Sequence, residues 1–192
     1  MQPTKLVVLS APTGSGKNTI ADMFMAQDKR FMETISCTTR KIREGEIDGA
    51  HYYYISEDEF KEKRKNNEFL EWEKVHNQFY YGTLEKEIFR IIEKGKIPFL
   101  VIEVNGAMNI KKKFPGAILV FIKPNSLKNM EERIRRRAQI SEEEVKTRLK
   151  TAKNELKMSK YYDYIITNPE GHPEKGVEEL KEIIGKSFLI SE

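Results

Sequence analysis

Apolar positions along this chain follow two regimes. Residues 6–9, 99–104, 117–122 and 164–167 are short, nearly continuous apolar runs, the pattern of strands covered on both faces in a parallel sheet. Between and after them apolar residues recur at helical spacing: Ile20, Met23 and Phe24 follow the first run, and residues 108–114, 126–138 and 141–158 carry helix-compatible patterns. Strand and helix therefore alternate, which predicts an α/β core of three layers around a parallel sheet.

The best-marked helix starts after Ser141. Glu144 completes a capping box, and Ile140, Val145, Leu149, Ala152 and Leu156 form one apolar stripe. Gly171 and Pro173 interrupt the pattern after the last strand, Val177, Leu180, Ile183 and Ile184 mark a terminal helix, and residues 187–192 read as a short tail.

Residues 34–95 read differently. Segments 34–39, 51–55 and 69–75 are short and β-like, Ser56 and Glu59 cap a charged helix ending near Asn66 and Asn67, Gly45 and Gly49 supply turns, and residues 79–82 set two tyrosines against a glycine. With no repeat or low-complexity linker around it, this stretch predicts a small, mainly β lobe inserted into the core and sharing a cleft with it. The expected division of the single domain is core at 1–33, 84–125 and 159–192, lobe at 34–83, and an arginine-rich segment with its following helix at 126–158.

Composition narrows the partners. The chain has 192 residues, 39% of them hydrophobic, enough for one domain with an inserted lobe. No run approaches the roughly 18 apolar residues of a membrane span and no charged leader precedes an apolar stretch, so a cytoplasmic protein without membrane contact is expected. One cysteine, Cys37, excludes an intrachain disulfide and a cysteine-cluster metal site; His51, His76 and His172 lack ligand spacing. The 34 basic and 30 acidic side chains nearly balance, which argues against a general nucleic-acid binder. Arg133, Arg135, Arg136 and Arg137 form the sharpest local excess, suited to gripping phosphates or to a solvated helix face.

The first chemical motif directly follows the first apolar run: Ala11, Pro12, Thr13, Gly14, Ser15, Gly16, Lys17 and Asn18. A glycine-rich turn between strand and helix points successive backbone N–H groups into one concavity, adds the positive end of the helix and lets the lysine reach terminal phosphate oxygens. Ala11 and Asn18 stand where this motif has Gly and Ser or Thr, and an ordinary tight turn is the competing reading. The second motif is residues 36–46, where Arg40 and Arg43 lie among hydroxyls, again suited to a phosphate or to a solvated basic turn. Tyr52, Glu71 and Tyr81 are polar-tipped residues within β-like segments, which also suits sheet-face packing.

From about residue 5 to 184 the chain resembles the guanylate kinase family. The resemblance rests on the phosphate loop 11–18, the Ser36-Cys37-Thr38-Thr39-Arg40 run with Arg43, Gly45 and Glu46, then residues 49–52, 69–71, 81–83, 105–107 and 162–164 before Asn168. It implies a P-loop core with an inserted GMP-binding lobe and an arginine-rich helical lid, transferring phosphate from ATP to GMP with Mg2+. By the same resemblance, Ser36, Arg40, Arg43, Tyr52 and Tyr81 look like the clamp on the GMP phosphate, and Glu71 and Thr83 like the readers of guanine. Lys17 looks like the group that neutralises the transferred phosphoryl, Arg133, Arg137 and Arg148 like the arginines over ATP, and Asn168 like the residue at the adenine-side loop. Cys37 is expected to be a packed small residue.

Two departures stand out. Asn18 replaces the loop hydroxyl that the family puts on magnesium, leaving its amide oxygen as a neutral ligand or water partner. Where the family has two acids two residues apart, this chain has Val101 and Glu103, so Glu103 alone is left to orient GMP or magnesium-bound water. These substitutions keep open a GMP-binding or scaffold protein of weak turnover, and a kinase for another small phosphorylated substrate. Oligomeric state is not legible.

Overall fold

The computed structural model describes residues 5–75, 78–137 and 141–189. In chain order the elements are β1 (Val7–Ser10), α1 (Lys17–Gln27), β2 (Phe31–Glu33), β3 (Cys37–Thr38), β4 (Tyr53–Tyr54), α2 (Glu57–Lys65), β5 (Phe69–Val75), β6 (Phe79–Leu84) and α3 (Glu85–Glu93). They continue with β7 (Ile97–Ile102), α4 (Val104–Lys113), β8 (Ile118–Pro124), α5 (Leu127–Arg137), α6 (Glu142–Met158), β9 (Tyr164–Asn168) and α7 (Pro173–Leu189).

Five strands form a wholly parallel sheet in the order β2-β7-β1-β8-β9. Its two faces explain the lack of alternation along the strands. Val7, Leu9, Phe99, Val120 and Ile122 pack under α1 and α7 through Ile20, Phe24, Leu180 and Ile184. Val8, Leu100, Ile102, Leu119 and Phe121 face the other way, toward Ala107 and Ile110 of α4 and Ile88 of α3. The resulting α/β/α arrangement leaves the carboxyl ends of β1 and β7 side by side, with Leu9 opposite Val101 and Ser10 opposite Ile102. Ligands of open parallel sheets bind outside such ends.

A second sheet, β4-β3-β6-β5, is mostly antiparallel. Its outer face is closed by α2, whose Phe60 stacks on Phe69 and Tyr80 at centroid distances of 4.4 and 5.1 Å. Ser56 accepts the Glu59 N–H at 3.1 Å to start α2, and Ser141 accepts that of Glu144 at 3.2 Å to start α6, as their capping boxes require. The chain leaves the core for this sheet after β2 and returns through α3. Both crossings meet the buried carboxylate of Glu87, which accepts the Ile35 N–H at 2.8 Å and the Tyr53 hydroxyl at 3.1 Å and is forked by Arg90, with its shortest contact at 2.6 Å.

Four expectations change. The strand expected at 99–104 ends at Ile102, because Glu103 is already the N-cap of α4 and its carbonyl accepts the Ala107 N–H at 3.0 Å; Gly106 and Ala107 are too small to have marked that helix as apolar. The tail expected at 187–192 is helical as far as Leu189, since Phe188 packs edge-on against Phe31 at 5.6 Å. Strand β2 and helix α3 were not expected at all. Ile140 and His76 lie outside the described residues.

Candidate active site

At Gly14 and Gly16 the phosphate loop turns through left-handed backbone, with φ 86° and 83°. A Cβ on Gly16 would stand 2.3 Å from the Asn168 amide nitrogen, and one on Gly14 would stand 3.2 Å from the Met130 carbonyl oxygen. Both positions therefore need glycine for angle and for space. Ala11 does not: among the described residues only Asn67 is a non-glycine with positive φ, and the Ala11 methyl is buried in the core under α1. That departure from the motif is sterically free.

Lys17 opens α1 and reaches across to the end of β7. Its Nζ donates to the Ile102 carbonyl at 2.9 Å and to Glu103 Oε1 at 3.0 Å. The ammonium is thus held at the carboxyl end of β7, beside the loop, by a carboxylate. Asn18, next along, is exposed.

Asn168, at the end of β9, donates to the Ser15 carbonyl at 2.8 Å while its own Oδ1 is buried without a partner among the described residues. Beside it lies a cavity of about 270 Å³ lined by Gly14, Gly16, Thr19, Arg133, Asn168 and Pro169, among others. Arg133 of α5 enters from above, its Nη1 3.4 Å from the Gly14 carbonyl. Arg148 stays on its own helix, donating to Glu144 at 2.6 Å, and is not brought to the loop. The side chain of Arg137 lies outside the described residues.

On the other side of the cleft, β3, β5 and β6 assemble the expected acceptor groups. Glu71 and Thr83 face each other across β5 and β6; the Thr83 N–H donates to Glu71 Oε1 at 2.9 Å and the Ser36 and Thr83 hydroxyls are 3.1 Å apart. Glu71 is buried, and burial pushes its carboxyl up to about 7. Gly106 of α4 backs onto it so closely that a Cβ there would stand 2.4 Å from Oε2.

Arg40 is also buried. It donates through Nε to the Tyr81 hydroxyl at 3.2 Å, through Nη1 to the Lys41 carbonyl at 2.7 Å and Glu46 at 2.9 Å, and through Nη2 to Glu46 at 2.8 Å. Of five guanidinium hydrogens, one on Nη2 is left for a ligand. Glu46 is held down to about 2, chiefly by Arg40, and the rings of Tyr52 and Tyr54 flank the guanidinium at 5.5 and 5.6 Å. Tyr52 also meets Tyr81 edge to face at 5.8 Å. Arg43 is exposed, its backbone N–H bonded to Glu46 at 2.8 Å, so its side chain is free to meet a ligand from solvent. Cys37 is buried, and burial pushes its thiol up to about 12, which suits packing and not nucleophilic attack.

A model of the guanylate kinase family matches residues 3–187. The chain belongs to the guanylate kinase family. It is 38% identical to the guanylate kinase of Caldanaerobacter subterraneus subsp. tengcongensis over 93% of this chain and 85% of that one. It is 40% identical to that of Mycoplasmopsis pulmonis over 96% and 95%. The crystal structure of guanylate kinase from Anaplasma phagocytophilum superposes with a TM-score of 0.75 at 28% identity, covering 94% of this chain and 84% of that one.

Within this guanylate kinase fold, three acids that sequence reasoning missed also approach the cleft. Glu155 of α6 turns toward the loop backbone at Thr13, and burial pushes its carboxyl up to about 7. Glu73 sits on β5 on the same side as Glu71, with burial raising its carboxyl. Glu33 closes β2, and burial pushes it up to about 7 as well. Their period-2 or helical positions carry no chemical signal in the sequence; only register shows where they face. Among the described residues no three His, Cys, Asp or Glu side chains converge as a metal cage. No described helix is long and apolar enough to cross a membrane.

Proposed function

We propose that this protein transfers the γ-phosphoryl group of ATP to GMP, giving ADP and GDP, with Mg2+ on the donor phosphates. The observation that carries this reading is the pairing of a glycine-cradled phosphate loop, whose Lys17 is held beside it at the end of β7, with a buried Glu71 presented by Thr83. An ionised Glu71 offers two acceptors to the N1–H and exocyclic amino group of guanine, which adenine does not present together. Arg40 through its remaining donor, Arg43, and the hydroxyls of Tyr52, Tyr81 and Ser36 hold the acceptor phosphate. The cavity beside Asn168 takes the donor base.

Chemistry follows from alignment. The acceptor is a phosphate oxygen that is already anionic, so no general base is needed, and the loose transition state asks mainly for positive charge on its equatorial oxygens. Lys17 supplies it from below and Arg133 from above, with Arg137 and Arg148 to join on closure of α5 and α6, which also keeps water from taking the phosphoryl group. Mg2+, when bound, neutralises and orients the donor phosphates; Asn18 and Glu103 offer oxygens toward its water shell. Exposed Asn18 and apolar Val101 favour, as the second reading, a GMP-binding protein with little turnover.

Product formation from magnesium-ATP with GMP, AMP, dGMP, UMP and CMP decides between them. We expect GDP formation with strong preference for GMP, and a preference reduced on the order of 10²-fold or more in Glu71→Ala, because a buried polar reader is lost. GMP binding without turnover would select the second reading. Equal losses for GMP and AMP in Glu71→Ala would remove Glu71 from base recognition.

A further inference from the structure

We propose that Glu33, the last residue of β2, is the positioning carboxylate that β7 lacks at Val101, and that it holds the water shell of the donor's Mg2+ opposite Asn18. The inference rests on the phosphotransfer reading above.

It starts from register. In the parallel sheet Glu33 lies opposite Phe99 of β7, and Val101 is two residues further along β7 on the same face. Diagonal neighbours of this kind are about 7–8 Å apart and within reach of a long side chain. The face is otherwise apolar, made of Val7, Leu9, Phe31, Phe99 and Val101 under α1, so an acid there is out of keeping with its surroundings. Among the described residues the Glu33 carboxylate has neither a hydrogen bond nor a salt bridge, although it is only partly exposed. The carboxylate is therefore open to a ligand from the cleft side.

Its electrostatic neighbours define the place. Glu33 feels Lys17 and Asp22 of α1, and Tyr52 of the acceptor lobe feels both Glu33 and Glu103. With its register on the α1 side of the sheet, the carboxylate is turned toward Lys17 and the acceptor lobe. The donors at the start of α1 and the end of β7 are inadequate alone: Asn18 is neutral, Val101 has no donor, and Glu103 is committed to Lys17 at 3.0 Å. A hydrated divalent cation on the donor phosphates needs at least one carboxylate partner in reach; Glu73 and Glu155 also approach Lys17, but Glu33 is the acid that the sheet register sets diagonally beside Val101.

The test is a Mn2+ titration, read by electron paramagnetic resonance, of the protein with a non-hydrolysable ATP analogue and GMP, for wild type, Glu33→Gln, Glu33→Asp and Glu33→Gln with Val101→Asp. Glu33→Gln should weaken Mn2+ binding by about tenfold or more, Glu33→Asp by less, and Val101→Asp should restore most of the loss by returning a carboxylate to β7. GMP affinity without metal should not change. Unaltered Mn2+ affinity in Glu33→Gln, or equal losses for Gln and Asp in folded variants, would overturn the assignment. The titration needs no turnover, so absence of GDP formation by the wild type would sink the kinase reading separately.

Discussion

The acceptor side of the cleft is built before its ligand arrives, whereas the donor side is brought together from parts. On the acceptor side Arg40, Glu46 and Tyr81 form one hydrogen-bonded group and Ser36, Thr83 and Glu71 another, with bonds of 2.8 to 3.2 Å, within one small sheet and its adjoining loop. On the donor side Lys17 of α1 and Asn168 of β9 are likewise bonded at 2.8 to 3.0 Å, but the arginines are not in place: Arg133 of α5 meets the loop carbonyl at 3.4 Å and Arg148 stays on Glu144. Base selectivity needs fixed acceptors, so rigidity is useful there. Phosphoryl transfer needs cations that arrive with the donor and shut out water, so a loose assembly is useful on the other side.

The largest effect that would sharpen this contrast is on Lys17. Lys17→Ala should lower turnover on the order of 10²–10³-fold while GMP affinity, measured by calorimetry, changes little; a comparable loss of GMP binding would mean that the two sides are not separable.

Gly106→Ala breaks the acceptor side alone. The added methyl would stand 2.4 Å from Glu71 Oε2, so KM for GMP should rise roughly tenfold, a shift worth about 1.4 kcal/mol, with KM for ATP unchanged. Stability should fall modestly, because overpacking against a buried side chain costs about 1–3 kcal/mol, more than the roughly 1 kcal/mol by which alanine favours a helix over glycine. A rise in KM for both substrates would contradict the separation.

The smallest effect is on pH. The folded Glu71 carboxyl is raised to about 7 from 4.5, so the folded state holds a proton that the unfolded chain has released, and this group's contribution to stability falls as pH rises from about 4.5 to 7. In the proposed function guanine recognition runs the other way, since it would use the ionised form. GMP affinity should therefore increase several-fold from pH 6 to 8, and Glu71→Gln should flatten that part of the profile in calorimetric titrations.

Much of this was legible in the chain. Apolar runs located four of the five core strands, capping boxes located the starts of α2 and α6, and the loop at 11–18 placed Lys17 at the start of a helix. What was not legible is what tertiary contact decides. β2 is three residues of mixed character that become a strand only beside β7. The pattern of α3 is interrupted by Glu87, an acid buried for its hydrogen bonds, and the end of α7 is kept helical by a contact between Phe188 and Phe31 from opposite ends of the sequence. Within the site, the identity of Arg40 could be read but not its saturation by Glu46, because that depends on the fold of the turn between them. Glu33 was invisible for a related reason: neighbouring strands, not neighbouring residues, bring it to Val101.

The carboxylate of Glu87 has a mechanical meaning. The polypeptide crosses between the two sheets twice, once outward near Ile35 and once back through the start of α3, and both crossings are fastened to this single side chain. Two connections secured at separate places would brace the sheets against each other like the legs of a trestle. The sheets are braced in that way here: besides the pin at Glu87, Lys113 of α4 donates to the Phe69 and Leu70 carbonyls at 3.2 and 2.5 Å, and Leu70 is buried in the core beside Ala107 and Ile110, so the small sheet rests on the large one at two places.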